Sequence, residues 1–82
     1  MAKESTKIRV YTDRRRFGKY VTVIEGIEAD SDPKKMSKML KSKLAAGGTY
    51  KDGKIIIQGD HKNRVKKVLI DMGFPADKIE IE

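Results

Sequence analysis

The chain has 82 residues, which fits one small domain. Lys and Arg number 19 against 12 Asp and Glu, which leaves a formal charge of +7. The absence of Cys excludes disulfides, thiolate catalysis and cysteine-ligated zinc. No stretch approaches the ~18 apolar residues of a membrane span, and residues 1–7 hold no apolar run that could act as a secretion signal. We therefore predict a cytoplasmic protein.

The positive charge is concentrated in separate blocks of the chain. Residues 1–20 carry a net charge of +5, residues 34–43 carry +5 and residues 61–69 carry +4. Residues 21–33 carry −4, and residues 70–82 carry −3. Charge spread evenly over a surface is typical of solubility alone, whereas segregated blocks favour a binding face. The pattern predicts a polyanionic partner.

A β-hairpin is predicted at the start of the chain. Lys7 to Thr12 alternates between apolar and polar side chains, which indicates a half-buried strand. Tyr20 to Glu25 is rich in β-branched and aromatic residues and is predicted to be a second strand. The intervening segment begins with Asp13 and has Gly18 near its end, so it is predicted to close an antiparallel hairpin.

A first helix is predicted after this hairpin. Asp32 is its expected N-cap, Pro33 its first residue, and the pair Gly47-Gly48 its end. At 100° per residue, the helix has an apolar face and an opposite basic face. The apolar face holds Met36, Met39, Leu40 and Leu44, with Lys43 near its end, and the basic face holds Lys34, Lys38 and Lys41.

The second half of the chain repeats the order of the first. Asp52-Gly53 predicts a hairpin whose second strand, Lys54 to Gln58, is apolar on both faces and is placed inside the sheet. Asp60 is predicted to cap a second helix that ends at Gly73. Its apolar stripe is Val65, Val68, Leu69 and Met72, which leaves Ile70 exposed, and Ile79 and Ile81 form a short last strand.

The predicted fold class is α+β, a two-layer α/β sandwich with the order β-β-α-β-β-α-β. Each helix has a single apolar stripe, so both helices should pack on the same face of a mixed sheet. Residues 7–82 are predicted to form one domain. Residues 1–6 show no pattern and are predicted to be a flexible tail.

Three segments resemble catalytic or ligand motifs, and each is better explained by structure. Gly48 to Lys54 matches G-x-x-x-x-G-K, but Ile55 replaces the Ser or Thr that binds magnesium, and a strand follows instead of a helix. The neighbours Asp60 and His61 lack a nucleophile signature and the geometry of a catalytic dyad. The acidic residues Glu25, Glu28, Asp30 and Asp32 lack metal-loop spacing. We predict no catalytic residue, no metal site and no cofactor.

The basic loop, defined here as residues 14–19, is the strongest functional signal. It places three consecutive arginines beside Phe17 and Lys19. Arginine matches phosphate and stacks on bases, and an aromatic side chain can also stack on bases. Phe17 could instead fold back onto the sheet, and both alternatives stay open at this point. Together with the lysines of the first helix, the loop predicts a structured RNA as the partner.

Residues 7–82 resemble the translation initiation factor 1 family of archaea and eukaryotes, in its archaeal form. The motifs that carry the resemblance are Arg15 to Lys19, Val21 to Ile27, Gly47 to Thr49 and Ile57 to His61, with the spacing of Val65, Leu69, Gly73 and Phe74. Where eukaryotic members have Cys-Asn-Gly, this chain has Ala46-Gly47-Gly48. We expect no counterpart here of the cysteine-bearing N-terminal extension of some archaeal relatives.

The resemblance implies a non-enzymatic factor on the small ribosomal subunit near the P site, where it promotes accurate start-codon selection. It implies binding to rRNA, proximity to initiator tRNA and mRNA, contact with other initiation factors, a monomeric state and no membrane association. The binding residues it implies are Arg14, Arg15, Arg16, Phe17, Gly18 and Lys19 in the loop, and Lys34, Lys35, Lys38 and Lys41 on the first helix. Two alternatives remain: a related RNA-binding domain acting in ribosome recycling or translational control, and a small nucleotide-binding protein.

Overall fold

The computed structural model describes residues 7–28 and 31–82. The predicted flexible tail, residues 1–6, and Asp30 of the acidic cluster lie outside the described residues. Within the described ranges, five strands and two α-helices follow one another in the predicted order, with short 3-10 turns at Arg16–Gly18 and Ala76–Lys78. The strands are β1 (Ile8–Arg14), β2 (Tyr20–Glu25), β3 (Gly48–Lys51), β4 (Lys54–Gln58) and β5 (Ile79–Ile81), and the helices are α1 (Pro33–Leu44) and α2 (Lys62–Asp71).

The sheet is mixed, with the strand order β3-β4-β2-β1-β5. Among the described strands, β1 and β5 pair in parallel and the other three pairs are antiparallel. β4 has a neighbour on each side, as its three isoleucines predict, although the middle position belongs to β2. The α+β prediction with a mixed sheet is therefore confirmed.

The hydrophobic core lies on one face of this sheet. The buried side chains of α1 and α2 join those of four strands in one cluster, which confirms that both helices cover the same face. The buried cluster consists of Ile8, Val10, Ile24, Ile55, Ile57 and Ile79 from the strands and of Met36, Leu40, Leu44, Val65 and Leu69 from the helices.

The β1–β2 hairpin is two residues longer than predicted. Asp13 and Arg14 still pair with β2, opposite Val21 and Tyr20. Apolar alternation stops at Thr12, but the backbone ladder continues because pairing needs no apolar side chain. The structure therefore moves Arg14 from the predicted loop to the end of a strand.

Helix α1 begins as predicted but ends early. The Asp32 carboxylate accepts a hydrogen bond from the Lys35 backbone N–H at 3.4 Å, with Pro33 as the first helical residue. At the other end, Ala45 takes a left-handed conformation with φ +52°, so the prediction that Gly47-Gly48 ends the helix is wrong. The backbone N–H groups of Ala45 and Ala46 close the last turn onto the carbonyls of Ser42 and Lys41.

Gly48 has a different role from ending the helix. It begins β3, where an added Cβ would lie 2.5 Å from the Ile56 carbonyl oxygen. Close approach of two strands therefore requires glycine at this position.

The left-handed Ala45 leads to a stability prediction. Replacing Ala45 with Gly removes the Cβ clash of this conformation, so we expect the free energy of unfolding to rise by about 1 kcal/mol. The melting temperature should rise by about 4–8 °C in thermal unfolding. Ala46→Gly is the matched control, because Ala46 has no positive φ, and it should leave stability unchanged or lower it. Equal effects of the two variants would contradict the prediction.

The apolar face of α1 also differs from prediction. Met39 is 37% exposed, whereas Ser37 is 4% exposed. The buried side of the helix runs through Pro33, Ser37 and Leu44, so the helix is rolled toward Ser37 and Met39 reaches its edge. Lys43, placed on the apolar side by the sequence, is exposed.

Helix α2 starts one residue later than predicted. His61 holds the N-cap position and no side chain caps the helix, so the prediction of Asp60 as N-cap is wrong. The buried Thr22 hydroxyl fixes the turn instead, because it accepts from the His61 backbone N–H at 2.8 Å and donates to the Gly59 carbonyl at 2.7 Å. The helix ends as predicted, since Gly73 has φ +108°. Ile70 is 42% exposed, as expected.

Candidate nucleic-acid interface

The basic loop forms a compact turn that its own backbone closes. The Arg15 N–H donates to the Lys19 carbonyl at 2.6 Å, and the Lys19 N–H donates to the Arg16 carbonyl at 3.3 Å. Arg14, the residue before these, is paired with Tyr20 across the two strands. The hairpin therefore holds the loop at a fixed place on the molecule.

Phe17 stands at the tip of this loop. It has φ +60°, and Gly18 after it has φ +71°. Two consecutive left-handed residues turn the chain sharply, and for an aromatic residue this backbone is costly. The Phe17 side chain is 93% exposed, so the alternative in which it folds back onto the sheet is wrong.

Most of the positive charge on the loop is uncompensated. Arg15 approaches Asp13 at 3.8 Å, and both side chains are about half exposed. Within residues 7–28 and 31–82, no ion pair involves Arg14, Arg16 or Lys19. These side chains are exposed, so they are available to an anionic partner.

Two further segments lie at the same end of the sheet as the basic loop, which we call the loop end. The Gly59 N–H donates to the Tyr20 carbonyl at 2.8 Å, and the Gln58 N–H donates to the Gly47 carbonyl at 2.8 Å. The turn before α2 and the segment between α1 and β3 are thus tied to the base of the basic loop.

The structure separates the predicted lysines of α1. Lys34 and Lys35 lie in its first turn, which follows the far end of β2, whereas Lys41 lies in its last turn at the loop end. At 1.5 Å per residue, Lys34 and Lys41 are roughly 10 Å apart along the helix. Lys34, Lys35 and Lys38 are exposed and Lys41 is half-buried. The four lysines therefore form a stripe along α1 that leads away from the loop end, and of the four only Lys41 lies at the loop end.

Sequence reasoning missed three residues at the loop end. Tyr20 was assigned only to a strand, yet it is 49% exposed. Lys62 and Arg64 were recognised only as part of a basic block, and the structure places them at the start of α2. The missed signal was the position of Tyr20, an aromatic residue directly after the basic loop.

The face of the sheet that the helices leave uncovered carries a charged network centred on Glu25. Arg9 approaches Glu25 at 3.3 Å and Glu82 at 2.7 Å, and Lys54 approaches Glu25 at 3.5 Å. Tyr11 donates a hydrogen bond to Glu25, which lowers the pKa of Glu25 and raises the pKa of Tyr11. The hydrogen bond and charge of Arg9 lower the pKa of Glu82 as well.

These pKa directions predict a stability profile with two limbs. Glu25 and Glu82 have lowered pKa values when folded, so they stabilise above the ordinary Glu pKa of about 4.3, and that contribution is lost as the pH falls through their folded pKa values. Tyr11 has a raised pKa, so it stabilises below about pH 10, and that contribution is lost as the pH rises.

The measurement is the urea midpoint between about pH 3 and pH 11. The variant Tyr11→Phe lacks the hydroxyl, so we expect both limbs to become shallower and stability near neutral pH to fall slightly. A profile that superimposes on the parent would contradict the role of the Tyr11–Glu25 hydrogen bond.

The catalytic and ligand motifs considered above have structural explanations. The G-x-x-x-x-G-K segment is the β3–β4 hairpin, with Asp52 and Gly53 both at positive φ, so no helix N-terminus follows Lys54. The ring nitrogen Nε2 of His61 lies 2.9 Å from the Gln58 carbonyl oxygen. Across the described ranges, no three side chains of His, Cys, Asp or Glu could hold a metal ion together. No helix in this part of the chain is long and apolar enough to cross a membrane.

Comparison with known proteins gives a consistent result over nearly the whole chain. The family described as translation initiation factor SUI1 matches residues 4–75. A protein translation factor SUI1 homolog from Methanosphaera stadtmanae is 57% identical, with 100% of this chain and 82% of the relative covered. Homologs of the same name from Methanothermobacter thermautotrophicus and Pyrococcus furiosus are 57% and 53% identical, covering 99% and 98% of this chain and 81% and 83% of the relatives. All three organisms are archaea, in agreement with the predicted archaeal form.

Proposed function

Because the chain belongs to the SUI1 family of translation initiation factors, we propose that it binds the small ribosomal subunit near the P site and promotes accurate start-codon selection. Family membership establishes a role in translation initiation, and because these factors are not enzymes it confirms the prediction of a non-catalytic protein. Binding to the small subunit, the location near the P site and the role in start-codon selection are what we propose beyond family membership.

The observation that carries the proposal is the geometry of the basic loop. Arg14 and Arg16, which make no ion pair among the described residues, precede a Phe17 ring that is 93% exposed, on a turn held by two paired strands. Exposing an aromatic ring to water is unfavourable, and so is the left-handed backbone of Phe17. Burial of the ring against a partner surface would offset both costs, which indicates that the ring binds one. Ribosomal RNA supplies phosphates for the arginines and bases for the ring.

The proposal includes the wider setting of the factor. We propose one RNA-binding domain over residues 7–82, acting as a monomer in the cytoplasm beside the initiator tRNA–mRNA complex and other initiation factors. The charge of +7 supports an RNA-rich environment.

The lysine stripe of α1 is proposed as a second contact with the subunit. Changing Lys34, Lys38 and Lys41 together to Ala should weaken subunit binding about 10-fold or more. Each lysine that contacts a phosphate releases a counterion from the RNA, and the variant loses the favourable free energy of that release. Unfolding free energy should change little, because these side chains lie outside the core cluster. Binding is measured by fluorescence anisotropy of labelled factor with purified subunits. Unchanged affinity in the triple variant would remove α1 from the interface.

The absence of Cys makes a direct test of orientation possible, because a single introduced Cys can carry a tethered iron probe for hydroxyl-radical cleavage of rRNA. The probe sites Gln58→Cys at the loop end and Asp71→Cys at the far end of α2 are both exposed. We expect Gln58→Cys to cleave rRNA around the P site and Asp71→Cys to cleave there weakly or not at all. Strong P-site cleavage from Asp71→Cys alone, or cleavage remote from the P site from both, would overturn the proposal.

A further inference from the structure

Two neighbouring clefts lie at the loop end, and we call them together the track. The first has a volume of about 400 Å³ and is lined by Arg15, Lys19, Tyr20, Val21, Gln58 and Gly59. The second has a volume of about 430 Å³ and is lined by Asp60, His61, Lys62, Asn63 and Arg64. The two clefts share no lining residue, but Gly59 of the first and Asp60 of the second are adjacent in the chain, so the clefts lie next to each other.

One exposed aromatic residue, Tyr20, lines the first cleft, and the other, Phe17, lies outside both linings on the adjoining basic loop. Among the described residues, the exposed large hydrophobic side chains are Phe17, Tyr20, Met39 and Ile70. The two aromatic ones stand three positions apart, at the tip and at the base of the basic loop. Tyr11, by contrast, is hydrogen-bonded to Glu25 on the other face of the sheet. Two accessible rings beside a groove give surfaces on which bases can stack.

Cations border the track on both sides. Arg15 and Lys19 lie on the loop side, and Lys62 and Arg64 lie on the α2 side. The Lys62 ammonium also donates a hydrogen bond to the Glu82 carbonyl at 3.3 Å. Asp60 stands where the clefts meet, and its carboxylate repels phosphate, so a bound backbone is kept to the basic borders while base edges can face the carboxylate.

The floor of the track is rigid. The Thr22 hydroxyl is buried and joins the Gly59 carbonyl to the His61 N–H. The Gly59 N–H is bonded to the Tyr20 carbonyl, so the turn, the ring and the start of α2 are tied to the same strand. A preformed site loses little conformational freedom when it binds.

From these features we infer that the track binds an unpaired RNA strand, with bases stacked on Tyr20 and Phe17 and phosphates held by the cations on its two borders. Double-stranded RNA does not fit this arrangement, because its bases are already stacked on each other and only its backbone and shallow groove are accessible. The inference rests on the proposed function, since it names the kind of RNA bound at the end of the molecule that carries the basic loop.

The test compares two RNA probes by NMR titration of the full chain. One probe is an unpaired hexanucleotide without self-complementarity, and the other is a blunt RNA duplex long enough to stay paired, with both affinities expressed per phosphate. We expect chemical-shift changes along both clefts and tighter binding with the hexanucleotide. The variant Tyr20→Leu should weaken hexanucleotide binding about 5- to 100-fold, the range of one lost stacking contact. Its effect on duplex binding should be small.

Matched variants separate stacking from general loss of structure. Tyr20→Phe keeps the ring and should retain the parent affinity, whereas Ile70→Ala, at an exposed apolar side chain on the far part of α2, should have no effect. Arg64→Ala should weaken hexanucleotide binding as well, and it leaves the buried Thr22 contacts and the hydrogen bond from Lys62 to the Glu82 carbonyl intact.

Three results would overturn the inference: tighter binding of the duplex, equal hexanucleotide affinity for Tyr20→Leu and Tyr20→Phe, or shifts confined to the loop tip. Binding of each variant to small subunits is measured in parallel. If subunit binding and P-site cleavage persist while Tyr20→Leu leaves the hexanucleotide affinity unchanged, the inference about the track is wrong and the proposed function stands. If the subunit is not bound at all, the proposed function fails whatever the hexanucleotide shows.

Discussion

Raising monovalent salt from about 50 mM to about 200 mM is expected to weaken binding to the small ribosomal subunit by roughly 10²- to 10⁴-fold. The expectation follows from neutralisation of roughly 4–8 phosphates, which gives a slope of about −3 to −7 for log K against log salt. The uncompensated arginines of the basic loop and the exposed lysines of α1 supply enough cations for these contacts. Anisotropy titrations at four salt concentrations give the slope.

Two variants identify which cations produce the slope. Changing Arg14, Arg15 and Arg16 to Ala should make it shallower by up to about three, because each phosphate contact contributes close to one. Lys7→Ala is the control, because Lys7 is exposed directly before β1, at the end of the sheet opposite the loop. It should leave the slope unchanged. An affinity that does not respond to salt would contradict the role given to the basic blocks.

Features set by local sequence were predicted well. The β3–β4 turn followed from Asp52-Gly53 alone, and both residues have the positive φ that such a turn requires. The start of α1 followed from Asp32 and Pro33, and the end of α2 from Gly73. In each case the residues that determine the conformation lie within a few positions of it.

Features set by distant contacts were predicted poorly. The end of α1 was placed at two glycines, but Gly48 is needed for the close approach of β3 to β4, and Ala45 takes the left-handed position without a glycine. Asp60 was assigned as a cap because of its residue type, whereas Thr22, 39 positions from His61 in the chain, fixes that turn. Neither contact leaves a pattern in a single sequence.

The candidate site shows the same division. The charge and the aromatic residue of the basic loop were evident from the sequence, because they are consecutive. Whether Phe17 points outward depends on two left-handed residues in a row, which the sequence left undecided. The track between Tyr20 and Arg64 joins segments far apart in the chain, so only the pairing of β2 with β4 reveals it.

The basic loop also gives a prediction that separates fidelity from attachment. Changing Arg14, Arg15 and Arg16 together to Ala should leave the fold intact, because exposed positions of this kind alter stability by no more than ~0.5 kcal/mol each. Initiation complexes on near-cognate start codons should then increase relative to those on AUG. Discrimination is a difference between two binding energies, and a rigid charged tip beside the codon–anticodon pair can favour one geometry or disfavour the other. Toeprinting on paired AUG and near-cognate messages measures the ratio.

The factor concentration decides what this ratio means. At concentrations that saturate the subunit, weaker binding cannot lower occupancy, so a changed ratio reports discrimination by the bound factor. The α1 variant with Lys34, Lys38 and Lys41 changed to Ala is the matched control, since it removes three positive charges from a surface outside the loop. At saturation it should keep the parent ratio, while the loop variant should not. If the loop variant also keeps the parent ratio, the loop serves only as an anchor, and start-codon discrimination must arise from another part of the chain.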